Sequence, residues 1–303
     1  MPSTTNPRIS NGEAVRGPTG RRLFAVSDLH VAYEQNRAAV KDLHPSDLSD
    51  WLIVAGDIGE LTADVEWALR LLAERFAQVV WVPGNHELWT HPDDPVRLRG
   101  EARYRGLVEL CRSLGVLTPD DPYAHWPGPD GPVVIAPLFL LYDYSFLPPG
   151  ATGTADALAR AEEAGVVATD EFLLHSDPYP DPAAWCRARL AYTRERLDAC
   201  PPELPTVLVN HFPLVREPTR ILRYPEFALW CGTTATHDWH RRYRAATVVY
   251  GHLRIPRTTW HDGVPHREVS LGYAREWQAR GRPDPLLREI LPRRGALSQR
   301  GAR

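Results

Sequence analysis

Lysine is almost missing from this chain: Lys41 is the only one, Met1 is the only methionine, and arginine carries the positive charge. With 29 prolines, this reads as coding bias, and no function rests on it. Net charge is −3, which gives no general pull toward nucleic acid or an anionic membrane, so neither is expected as a partner. Cysteine is scarce and dispersed, at Cys111, Cys186, Cys200 and Cys231, with no Cys-x-x-Cys pair. Such spacing predicts reduced thiols in a reducing compartment rather than a disulfide framework. No apolar run approaches the ~20 residues of a membrane-spanning helix. The segment 1–22 is polar and has no hydrophobic leader region, so a cytoplasmic location is expected. No internal repeat of fixed period occurs.

What is present is ordinary globular composition, 43% hydrophobic and 24% charged, in 303 residues. That length suits one large α/β domain or two small ones. Polarity predicts a flexible tail over 1–20, a folded region over 21–279 with a helical insertion at 151–200, and a loose tail over 280–303.

Within the folded region, short apolar runs repeatedly end in polar residues of the kind that bind metals. Leu23–Val26 reads as a buried strand that leads into Asp28 and His30. Two residues apart on an extended chain, these side chains face the same way. Residues 51–55 read as a second strand, followed by Gly56-Asp57. Thr62 is placed to cap a helix carrying Val65, Ala68, Leu69, Leu72 and Phe76 at helical spacing. A third strand at 79–82 runs into Gly84-Asn85-His86-Glu87. Further strands at Thr206–Val209 and 247–250 end in Asn210-His211 and Gly251-His252-Leu253-Arg254. Open α/β sheets bind ligands at such carboxyl ends.

Between these blocks, helices are expected at 37–43 and 97–114. Residues 133–141 read as a strand that leads to Tyr142-Asp143-Tyr144. In the insertion, Trp185, Ala188 and Tyr192 are expected to face the body. Residues 257–260 and 266–271 read as a hairpin across Asp262-Gly263. His91, His125, His175, His237 and His240 read as surface or structural histidines. The arginines of 220–223 and 241–244 read first as solvated faces and second as a dock for an acidic partner.

The order of blocks, Asp-x-His, Gly-Asp, Gly-Asn-His-Glu, a lone His after a strand and Gly-His-x-Arg, resembles the calcineurin-like metallophosphoesterases over residues 23–271. The resemblance implies an α/β fold, a four-layer α/β/β/α sandwich of two mixed β-sheets flanked by helices. It also implies two divalent metals, Mn and Fe before Zn. Asp28 and His30 would hold the first, Asp57 would bridge, and Asn85, His211 and His252 would complete the second. His86 would act as general acid or charge stabiliser, with Glu87 behind the ligands. Two cations about 3.5–4 Å apart activate water for in-line attack on phosphorus. The family pattern usually ends in Gly-His-x-His. Here Arg254 takes the last position, and a guanidinium cannot serve as an ordinary ligand. The first site is therefore expected to be weak unless His261 or His266 substitutes, and Arg254 is a candidate donor to substrate phosphate.

A finer resemblance, to the actinobacterial phosphopantetheinyl hydrolases, rests on 137–146, 229–233, 251–260 and 269–277, with departures at Arg254 and Ala274. It implies removal of 4′-phosphopantetheine from holo-acyl carrier protein, a phosphodiester hydrolysis at a serine. Tyr142, Asp143, Tyr144, Trp230 and Trp260 are the candidate substrate-binding residues beside Arg254. For Asp143 and its neighbours, a loop tied by its own backbone is an equal alternative. Two other functions stay open: a cyclic-nucleotide phosphodiesterase, and a catalytically impaired metal- or phosphate-binding protein.

Overall fold

The computed structural model describes residues 21–128 and 131–291. The elements in order are β1 (Leu23–Val26), α1 (Glu34–Lys41), β2 (Trp51–Val54), α2 (Thr62–Ala73), β3 (Gln78–Trp81), α3 (Asn85–Leu88) and α4 (Gly100–Ser113). Then come β4 (Ala124–Gly128), β5 (Gly131–Pro137), α5 (Thr154–Glu163), α6 (Asp170–Leu173), α7 (Pro182–Asp198) and β6 (Thr206–Val209). The chain continues with α8 (Trp239–Arg242), β7 (Ala245–Tyr250), β8 (Arg257–His261), β9 (Val264–Glu268), α9 (Ala274–Arg280) and β10 (Arg288–Leu291).

The strands form two mixed sheets, in order β10-β1-β2-β3 and β4-β5-β6-β7-β9-β8. Strand alternation explains the layers. Leu23, Ala25, Ile53 and Val80 of the first sheet pack against Ile135, Val207, Val209 and Val249 of the second. Their neighbours Phe24, Val26, Leu52, Val54, Val79 and Trp81 point the other way, into the helices. In α2 the buried stripe is Val65, Ala68, Leu69 and Leu72, three or four residues apart, which fixes the face it turns to the sheet. Each such buried aliphatic side chain contributes about 1.5–3 kcal/mol. The result is helices, sheet, sheet, helices, the four layers expected.

β1, β2 and β3 run parallel, as do β5, β6, β7 and β9. Ser27 and Ser270 pair across the gap between the sheets, where Ser27 N–H donates to Val269 O and Leu271 N–H to Ser27 O. Both sheets therefore present their carboxyl ends at one place.

Several expectations are corrected. Thr62 does not cap α2; it is the first helical residue, and its N–H and hydroxyl both donate to Asp94 Oδ2. The reach from 62 to 94 made that cap invisible locally. β4 was not anticipated, because Pro127 and Gly128 break its apolar pattern. The strand expected over 133–141 stops at Pro137. The stretch expected to be a loose tail contains β10, which pairs antiparallel with β1 and buries Ile290. The 1–20 tail and the remainder of the C-terminal tail, 292–303, lie outside the described residues. Trp185 is fully buried as expected, whereas Tyr192 is an exposed ring with Arg189 and Arg196 over it. No helix among the described residues is long and apolar enough to cross a membrane.

Candidate metal centre

Loops leaving five parallel strands converge on one buried point. Asp28 and His30 follow β1, Asp57 follows β2, Asn85 and His86 open α3 after β3, His211 follows β6 and His252 follows β7. Asp28, His30, Asp57 and His211 are fully buried, and Asn85, His86 and His252 nearly so. Among the described residues, five of the eight non-glycine residues with positive φ are Asp28, His30, Asp57, His252 and Arg254. The backbone is thus bent into the left-handed region where side chains must turn inward, a cost that surrounding structure has to offset. Glycine is required beside them. A Cβ on Gly84 would collide with Asp57 Oδ1, and one on Gly251 with Ser27 Oγ and Asp28 Oδ2.

Four of these side chains have one polar atom anchored and another left without a protein partner. Asp28 Oδ2 accepts from Ser27 Oγ (2.6 Å), Ser270 Oγ (2.7 Å) and His252 N–H (3.0 Å), while Oδ1 has no partner. Asp57 Oδ1 accepts from His86 N–H at 3.0 Å, while Oδ2 has none. His211 Nδ1 donates to Ala55 O at 2.8 Å, which leaves Nε2 bare. Asn85 Nδ2 donates to Asp170 Oδ1 at 2.8 Å, which leaves its Oδ1 bare. Neither nitrogen of His30 or His252 has a hydrogen-bond partner. So many buried orphan acceptors are costly unless a cation satisfies them together.

Their geometry fits that reading. Asp57 Oδ2 is 3.3 Å from His211 Nε2, 3.8 Å from His86 Nε2 and 3.9 Å from His30 Nε2. His30 Nε2 is also 3.8 Å from Asp28 Oδ1. Two groups have ligand atoms within one metal's reach, His30–Asp57–His86 and Asp57–His211–His252, and Asp57 is common to both. The first group contains His86, which the family pattern makes an acid rather than a ligand.

The charge distribution follows the packing. Burial opposes ionisation of Asp57, but His211, His86 and His30 outweigh it and hold the carboxyl well below its ordinary value. Burial likewise lowers His211, yet Asp57 pushes it up to about 10. For His252, burial and the neighbouring His211 both act downward. His86 is raised against burial by Asp57 and by Glu60, whose Oε1 lies 2.8 Å from Nδ1. Glu87 is not directed at the centre. Its carboxylate accepts the N–H groups of Asp57 (2.9 Å), Ile58 (2.8 Å) and Gly84 (2.9 Å), locking two ligand loops together.

Arg254 stands beside the centre, not in it. Its Nε donates to Glu276 Oε1 at 3.3 Å, and its guanidinium carbon lies 4.6 Å from the centre of the Tyr273 ring. His261 and His266 do not approach the metal groups; they cluster with His240 on the hairpin.

A cleft of about 300 Å³ opens onto the centre, lined by His86, Trp89, Asp170, Phe227, Trp230, Arg254, Tyr273 and Arg275 among others. Of the substrate residues expected, Trp230 and Arg254 line it. Tyr142 does not: it is 1% exposed, with its phenol against Asp170. Asp143 ties a loop, accepting from Ser145 N–H and Oγ and from Thr233 Oγ1. The Tyr144 hydroxyl and Trp230 Nε1 both donate to Glu171 Oε1, at 3.0 and 2.6 Å. Trp260 is 67% exposed on the hairpin.

Sequence reasoning missed Glu60, Asp170 and Tyr273. Tyr273 stacks on His30 at 4.3 Å and sets its hydroxyl 3.4 Å from His86 Nε2. Glu60 lies three residues after Asp57, a proximity that was available as a signal. Tyr273 lay inside a segment singled out by resemblance. Asp170 carried no signal at all.

The family model described as calcineurin-like phosphoesterase matches residues 21–255. A curated relative from Mycobacterium tuberculosis, the [acyl-carrier-protein] phosphodiesterase PptH, is 56% identical over 270 residues, covering 89% of this chain and 83% of that protein. The crystal structure of phosphopantetheinyl hydrolase (PptH) from Mycobacterium tuberculosis superposes with a TM-score of 0.87, covering 90% of this chain and 96% of the other.

Proposed function

This chain belongs to the calcineurin-like phosphoesterase family, and from that membership we propose that it is a metal-dependent phosphodiesterase that removes 4′-phosphopantetheine from holo-acyl carrier protein. The observation that carries the chemistry is the set of orphaned, buried ligand atoms around Asp57 at the floor of the cleft. The substrate follows from the 56% identical relative, whose name states an acyl-carrier-protein phosphodiester.

The residues fit two divalent cations. Asp28, His30 and Asp57 would hold one, with His86 kept beside it as an acid; Asp57, Asn85, His211 and His252 would hold the other. A mixed imidazole, carboxylate and amide-oxygen set suits Mn or Fe, and Zn less specifically. When bound, the cations supply Lewis acidity and a water activated for attack on phosphorus.

The chain's own groups do the rest. Asp57 neutralises charge between the two groups of ligands. Nδ1–H of His86 is fixed on Glu60, so Nε2 faces the cleft. A protonated His86 can deliver that Nε2 proton to the departing serine oxygen, which matters because an alkoxide is a poor leaving group. The Tyr273 hydroxyl, 3.4 Å from that Nε2, would donate to a phosphoryl group bound there. Arg254, held by Glu276 at the edge of the cleft, offers a fork of donors to the phosphodiester anion. Phe227, Trp89 and Trp230 give apolar walls for the pantetheine arm.

Intact mass spectrometry of a holo-acyl carrier protein incubated with the protein and Mn²⁺ or Fe²⁺ tests this reading. Loss of the phosphopantetheine mass, absent for Asp57→Asn, is expected. A carrier that stays holo under every metal overturns it.

A further inference from the structure

Asp170 belongs to the helical insertion, 85 residues from Asn85, yet its carboxylate meets the Asn85 side chain at 2.8 Å. The same oxygen accepts from Trp89 Nε1 at 2.7 Å. Asp170 is 3% exposed, so no solvent competes for these bonds. Both donors are satisfied by an atom that can only accept.

That matters because Asn85 has two nearly isosteric ends. Its oxygen can bind a cation, whereas its NH₂ carries hydrogens and repels one. Nothing in the shape of the amide chooses between them. The Asp170 oxygen that also accepts from Trp89 does, because only the NH₂ end can donate to it. The Asn85 oxygen is thereby turned to the opposite side, where it is buried without a protein partner.

We propose that Asp170 is a positioning residue for the second metal, fixing the Asn85 amide so that its oxygen faces Asp57, His211 and His252. This rests on those residues being a metal site. The cleft wall contributed by the insertion (Val167, Ala168, Thr169 and Asp170) is then continuous with the metal's support. The insertion gains a role in metal retention as well as in shaping the cleft.

The test is a Mn²⁺ titration of the full chain with Asp170→Leu, Asp170→Asn and Asp170→Leu combined with Asn85→Asp. Leucine keeps the branched outline and removes the acceptor, and loss of a partner behind a metal ligand costs about 10–100-fold in affinity. Asp170→Leu is therefore expected to weaken one of two sites by that factor, with kcat restored by excess metal and KM little changed. Asp170→Asn keeps an oxygen toward Asn85 and should stay within about fivefold of wild type. Adding Asn85→Asp supplies a ligand that needs no orienting, and should return the lost site.

Two sites of wild-type affinity in Asp170→Leu overturn the proposal. So does an Asp170→Asn as weak as Asp170→Leu, or a double variant that regains nothing. A wild-type protein that binds no metal at all instead overturns the metal-site reading beneath it.

Discussion

Glu60 and His86 form a partly buried pair, with carboxylate oxygen and Nδ1 2.8 Å apart. The pairing sets the tautomer: Nδ1–H donates to Glu60, and in the proposed mechanism Nε2 is left to act as the acid. It also holds the Glu60 carboxyl well below its ordinary value; His30 and His86 outweigh the opposing burial.

Replacing Glu60 by Gln keeps the shape but withdraws the charge that favours imidazolium. We expect kcat on a holo carrier to fall roughly tenfold, and His86→Asn to cost about 10²–10⁴, the range of a general acid. The loss should shrink on a nitrophenyl diester, whose leaving group needs no proton. Equal losses on both substrates, with metal content falling in His86→Asn, would instead make His86 a ligand.

Asp57 is common to both ligand groups. Asp57→Asn should lower the bound metal from two ions and cut kcat by more than about a thousandfold, the several kcal/mol of a Lewis-acid contribution. Metal analysis alongside kinetics checks it. Full activity with two metals would sink the dinuclear reading.

Arg254 occupies the position where the family pattern places a ligand, but it is held by Glu276 beside the Tyr273 ring. Arg254→His should raise first-site metal affinity about tenfold, equivalent to ~1.4 kcal/mol. It should also raise KM by about tenfold or more, since a charged hydrogen bond worth about 1.5–3 kcal/mol is lost. Metal titration and steady-state kinetics separate the two effects. An unchanged KM removes Arg254 from substrate binding.

His266 is fully buried, and neither of its ring nitrogens has a hydrogen-bond partner. Burial, then His261 and His240, hold it down at about 3, while Asp262 opposes weakly. In the unfolded chain it titrates near 6.5. Its contribution to stability is therefore present above pH 6.5 and is lost as pH falls toward about 3. By pH 5 the loss should reach about 2 kcal/mol. Urea unfolding of wild type and His266→Leu at pH 7 and 5 checks this, with the variant expected to lose less. Equal losses would remove His266 as an acid-sensitive element.

The sequence by itself determined the elements that obey a local rule. Period-two alternation in Leu23–Val26 and Thr206–Val209 specified which residues face the other sheet. The residues just past each strand specified which polar side chains gather at the buried point, because a strand's end and its next few residues cannot separate in space. The Asp262-Gly263 turn was legible for the same reason: both residues take the positive φ such a hairpin needs.

Only the tertiary structure decided the partners that turn those residues into a site. Nothing near Asn85 announces Asp170, nothing near His86 announces Tyr273, and nothing around 288–291 announces a place beside β1. Tyr142 and Asp143 looked like cleft residues by position, but packing turned one into the core and tied the other to Ser145 and to the distant Thr233. Each of these outcomes depends on which buried polar groups and open sheet edges are still unsatisfied once the sheets have formed. That demand comes from the assembled interior, where water cannot serve as partner, and no local stretch of sequence carries it.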